Sequence, residues 1–226
     1  MKEKQKIYQR ANNIIELIYP IIKLELTWLS ATLFPITLII LFQTTGIVLY
    51  FKVILGLIIT TTLIPSFRII QELDKDINLN IFITFWHFWK TNLLDSLKII
   101  ISILIPFCYT LILLSSYEQR HDALALLIKA AAFFLFILIS FSALFIFNCA
   151  AKFNFKLLDY FKLMVIYLNK YPTIYLKLLL CLLLAFIIFI LFPAITFWGL
   201  VSTLLTIYSL IAKPILVDIE HKYVKK

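Results

Sequence analysis

Glycine and cysteine each occur only three times in 226 residues, and charged side chains make up just 15%. The glycines, Gly46, Gly56 and Gly199, lie far apart, so there is no glycine-rich loop to cradle a phosphate. Cys108, Cys149 and Cys181 sit in apolar runs, without a C-x-x-C pair and without a histidine at ligand spacing. They read as small buried hydrophobes, not as a disulfide framework or a metal site. G-x-S-x-G, H-E-x-x-H and an Asp-rich lipid-phosphate motif are all missing, and His87, His121 and His221 are isolated from one another. The one acidic cluster, Glu72, Asp74 and Asp76, has no accompanying His or Gly and reads as a solvated loop. A non-catalytic protein without cofactor or metal is the expectation. The loop RIIQELDKDINLNIF also lacks the Ala-Ala and trailing Gly with which a core importer permease grips its ATPase.

What the chain has is oil. Hydrophobic residues make up 63%, with 21 Phe and 11 Tyr, and the mean hydropathy is +1.01. A soluble domain carries about 45–50% apolar and about 25% charged residues. A soluble enzyme, a disordered tail and a disulfide-stapled secreted domain are therefore excluded. The composition predicts an all-α integral membrane protein forming a single transmembrane domain, 1–226.

A spanning helix needs about 20 apolar residues. Six runs qualify: 26–44, 47–67, 99–116, 124–150, 178–193 and 194–210. Short connections at 43–46, 116–122 and 193–196 join them into three hairpins. The last two are the least separate, because apolar residues continue through Pro193. The early basic residues resemble the start of a signal peptide, but Glu16, Lys23 and Glu25 interrupt the stretch, so the first span is expected to stay.

Basic residues set the orientation. On this division 18 of the 21 Lys and Arg fall on one side, and only Arg120 lies in a loop on the other. Both termini are therefore expected to be cytoplasmic. The net charge of +9 is then a matter of sidedness and implies no nucleic acid. Lys52 and Lys129, inside spans, each lie about 9 Å from an outer end at 1.5 Å per residue, within snorkelling reach. No span carries a central Asp, Glu, Arg or His, which argues against a proton-coupled carrier.

Each hairpin is preceded by an amphipathic segment: 7–24, 77–98 and 152–177. Each is expected to lie in the inner interface as a helix and then turn into a span, with Lys23, Lys98 and Lys177 marking the entries. In the second, Phe82, Phe85, Trp86, Trp89 and Leu93 follow helical spacing, opposite Thr84, His87 and Thr91. In the third, Lys152, Lys156 and Asp159 share a polar face. The aromatic cluster reads either as a belt at the lipid headgroups or as a docking surface, since large aromatics anchor protein interfaces. The candidate docking residues are Phe82, Phe85, Trp86, Trp89, Lys90 and Asn92, with Arg68 beside the acidic loop.

Three segments carry a family resemblance: LIYPIIKLELTWLSATLFPITLI; TTTLIPSFRIIQELDKD with NIFITFWHFWKTNLLDSLK; and FNFKLLDYFKLMVIYLNKYP. In order and spacing the chain resembles the YesL family of small bacterial membrane proteins. Pro65 matches the proline that closes the family's second span, while Ser66 and Phe67 replace the usual alanines. Phe85, Phe88, Lys90 and Asn92 fit its aromatic–basic–Asn pattern. Members commonly accompany sugar-import systems in Gram-positive bacteria. The resemblance therefore implies an accessory or regulatory subunit beside a carbohydrate ABC importer, in contact with its permease subunits and with the lipid bilayer. A factor in cell-envelope polymer assembly (teichoic acid or glycan) and a small independent carrier are the alternatives.

Overall fold

The computed structural model describes residues 18–33, 35, 37–38, 56–73, 79–117, 120, 122–192 and 201–224. Among them every regular element is helical. Helix α1 covers 18–33, α2 covers 56–61, α3 is Leu63–Leu73, α4 is Ile81–Ser116 and α5 is Ala123–Ala150. Helix α6 is Leu157–Lys170, α7 is Pro172–Leu191 and α8 is Val201–Ile219, which ends in a wider π turn, Glu220–Val224. Among the described residues three helices are long and apolar enough to cross a membrane: Ile81–Ser116, Ala123–Ala150 and Val201–Val224. A fourth arises if Leu157–Lys170 and Pro172–Ile188, bent by 109°, are taken as one broken span. The expected run 26–44 is described only in part, as are 47–67 and 194–210. The connections at 43–46 and 193–196, and Lys52, lie outside the described residues.

Helix α3 is the central element, packed against α4, α5 and α8. Its start is set by Pro65, which lacks an N–H and clashes with the carbonyl four residues back. The helix accordingly breaks into a turn at Thr62 and restarts, with Pro65 in the tolerated first turn. Ser66 and Phe67 are both fully buried. Ser66 Oγ donates to the Thr62 carbonyl at 2.8 Å, and the Phe67 ring lies 6.0 Å from that of Tyr208 on α8.

The amphipathic segments part company. The third turns, but earlier than the expected entry at Lys177. Helix α6 ends at Lys170, Tyr171 leaves helical geometry (φ −130°, ψ 60°), and Pro172 opens α7, which runs through Lys177 without a break. A residue before proline is driven out of the α region, and proline suits the first helical position. The second segment does not turn. Asn80 caps α4, its side chain accepting from Ile83 N–H, and the helix runs 36 residues without a break at Lys98. No Pro or Gly lies between 81 and 105 to stop it, and Pro106 is accommodated within the helix. The expected separate interfacial helix is corrected to the lower half of one rod. Residues 18–33 likewise pass Lys23 without a break, so no turn occurs at that lysine either.

The third segment is also shorter than expected. Lys152 lies in the α5–α6 connection, not on a helical polar face, and pairs with Glu220 at 2.7 Å. Tyr160 staples that connection. Its hydroxyl donates to the Phe153 carbonyl at 2.6 Å and accepts from Phe155 N–H at 3.1 Å. Burial pushes the Tyr160 phenol pKa up, and the Phe155 N–H opposes that shift.

Charge is distributed by end. Arg68, Lys152, Lys170 and Lys222 are tied into one region by contacts to Ala151, Glu220 and Asp218. At the far ends of α4 and α5, Lys129 Nζ reaches back to the Arg120 carbonyl at 2.8 Å, the direction snorkelling requires. In a cysteine-free background, Arg120→Cys is expected to react with an impermeant thiol reagent on intact cells, and Lys162→Cys only after permeabilisation. Labelling of both from the outside would contradict this sidedness.

Candidate functional site

The polar groups converge on Arg68, at the middle of α3. Its guanidinium donates to the Ala151 carbonyl at 3.0 Å, pairs with Glu72 at 2.9 Å and lies 5.2 Å from the Phe88 ring centroid. Nε of Arg68 is buried without a partner. One turn on, Gln71 Nε2 donates to both the carbonyl and the side-chain oxygen of Asn148, at 2.9 and 2.8 Å. These bonds hold α3 to the end of α5. Two cavities flank the arrangement, and Arg68 and Lys152 line both. One of about 300 Å³ opens between α3, α4 and the α5–α6 connection, among Phe88, Asn92, Asp95 and Tyr160. The other, about 260 Å³, lies between α3 and α8, beside Gln71, Ser209 and Lys213. Nearby, Asp218 collects Tyr167, Lys170 and Lys222 at 2.6, 2.6 and 3.4 Å, and the Asp218 carboxylate holds the Lys170 ammonium pKa above its usual range.

The candidate docking residues divide between two faces of α4. Phe85 is fully buried in the core, and Trp86 packs against that core, 5.8 Å from Phe85 and 5.4 Å from Trp89 between ring centroids. Trp89 Nε1 donates to Thr61 Oγ1 at 2.9 Å. This aromatic face is thus engaged within the chain. Phe82, Lys90 and Asn92 are exposed, and the outward stripe is Ile83, His87, Lys90, Leu94 and Lys98, with Leu94 74% exposed. Above Lys98 the same stripe turns wholly apolar, through Ile101, Ile105, Tyr109 and Ile112.

Glu25, immediately before the expected run 26–44, is buried by the fold. It is 4% exposed, and Oε2 accepts from the Ser202 backbone N–H at 2.7 Å. Ser202 is 16 residues before Asp218, about 24 Å along the helix axis, so the carboxylate sits far from the basic end. Its Oε1 and the indole N–H of Trp28 are buried without partners. In the sequence Glu25 reads only as an interruption of the early apolar stretch, and no local signal announces a partner 177 positions away. Among the described residues no group of three His, Cys, Asp or Glu is placed to hold a metal ion. Compared with known proteins, the chain matches no family model, no curated protein and no solved structure.

Proposed function

We propose that this protein is a non-catalytic accessory or regulatory subunit in a bacterial cytoplasmic membrane. It would form six spans in three hairpins with both termini cytoplasmic, and dock on the permease of a carbohydrate ABC importer. The observation that supports docking is the length of α4. Residues 99–116 suffice for about 27 Å of hydrocarbon at 1.5 Å per residue, and a further 18 residues continue below Lys98. That lower half presents Ile83, Lys90 and Leu94 outward while its other face is committed to the chain's own core. Exposed apolar side chains on a face not committed to the chain's own core mark a surface for a partner. The importer as partner rests on the resemblance to the YesL family.

The test is mild-detergent purification of tagged protein from its host, beside the variant Ile83→Asp with Leu94→Asp. These positions are exposed, so the variant is expected to insert normally and to lose at least about tenfold of the co-purified permease, the weight of one interface anchor. Undiminished permease recovery overturns the docking surface. Recovery of glycan-assembly enzymes from the wild type instead would favour the envelope-assembly reading. A small independent carrier is the second reading, and buried Glu25 is the observation in its favour, since an ionisable group at membrane depth marks transport pathways.

A further inference from the structure

We propose that the cavity between Arg68 and Lys152 binds the phosphate of an anionic phospholipid headgroup. The inference is independent of the docking reading. Two cations from different elements border one space of about 300 Å³, and neither has its donors exhausted. Arg68 makes one contact from each terminal nitrogen, to Ala151 and to Glu72, and a guanidinium carries five donors. Lys152 donates to Glu220 Oε2 at 2.7 Å, and an ammonium carries three donors. Arginine's planar fork and lysine's point charge are the two usual means of holding phosphate. Asp95, the carboxylate on the rim, is salt-bridged to Lys98 at 2.9 Å.

The walls select a lipid over a free anion. Each cation is backed by an aromatic ring, Phe88 at 5.2 Å from Arg68 and Phe153 at 5.4 Å from Lys152. Ile64, Pro65 and Ile99 continue the lining toward the apolar part of α4. A free phosphate gains nothing from such walls, whereas a glycerophosphate with acyl chains running up the bundle is amphipathic in the same sense. The volume suits a headgroup, which leaves the chains in the bilayer. The cavity lies at the basic end of the bundle, and basic pockets between spans on the cytoplasmic side are where anionic headgroups dock.

The experiment uses full-length protein, delipidated in detergent and then offered phosphatidylglycerol, phosphatidylcholine or inorganic phosphate. Bound lipid is read by native mass spectrometry and stability by thermal unfolding. Phosphatidylglycerol is expected to remain bound and raise the melting temperature, while the other two leave it unchanged. Lys152→Gln is expected to weaken phosphatidylglycerol retention about fivefold, the weight of one basic residue at an anionic surface. Lys162→Gln, on the exposed side of α6, should leave retention as it is. If Lys152→Gln fails to fold, Asn154→Asp places a negative charge in the lining while keeping both cations, and retention should fall likewise. Equal stabilisation by phosphatidylcholine or by inorganic phosphate, or undiminished retention in the folded variants, overturns the proposal.

Discussion

Phe85→Ala is expected to lower the stability of the protein by about 3–5 kcal/mol, the usual range for removing a large buried aromatic. Phe85 has no exposed surface and packs edge-on against Trp86 within the main core. Truncation leaves a cavity that a 36-residue helix packed on α3 and α5 cannot readily collapse into. Thermal unfolding in mild detergent measures the loss. Trp89→Phe keeps most of the ring and forfeits the 2.9 Å bond to Thr61, so about 0.5–1.5 kcal/mol is expected. The contrast is diagnostic. A helix resting loosely in the headgroup region would tolerate Phe85→Ala with little change in melting temperature, and that result would detach the lower half of α4 from the core.

The second large effect is expected at Glu25. Glu25→Leu removes the acceptor from a buried backbone N–H, and an unsatisfied buried donor costs about 1–3 kcal/mol. Here α1 would lose its 2.7 Å tie to Ser202 of α8, between segments far apart in the chain. Glu25→Gln keeps an acceptor oxygen, so most of the loss should be restored. The amide also separates two functions. As an accessory subunit the protein should support importer-dependent sugar uptake with Glu25→Gln nearly as well as wild type. A complete loss of uptake at normal abundance and normal melting temperature would favour the carrier reading, in which the carboxyl itself takes part.

Helical character and the membrane class were legible in the residues themselves, because they depend on composition and period. The turn after Lys170 follows from local sterics at Tyr171–Pro172, a signal missed by taking the basic residue Lys177 as the entry. The same reasoning misplaced the turn at Lys98. A basic residue marks where a helix crosses into lipid, but only a backbone breaker ends it, and LLDSLKIII contains none. Periodicity likewise put Phe85, Trp86 and Trp89 on one face correctly. It carries no information on what covers that face, and α2 and α3 cover it from within the chain, through Thr61 and the core around Phe67.

The polar ties were the least legible. Glu25 with Ser202, Gln71 with Asn148, Arg68 with Ala151 and Lys152 with Glu220 join positions 68 to 177 apart. Each group taken alone reads as a boundary or loop residue, because polarity in a sequence signals water by default. Inside an apolar bundle the same groups lack water and must find one another to offset desolvation. By itself, then, the sequence determined that the chain is helical and apolar enough to enter a bilayer, since those follow from local propensity and transfer energy. Only the tertiary structure decided that α4 is one rod, that its aromatic face turns inward, and that Arg68 and Lys152 face a common cavity. Such outcomes depend on which distant groups satisfy each other's hydrogen bonds and fill each other's space.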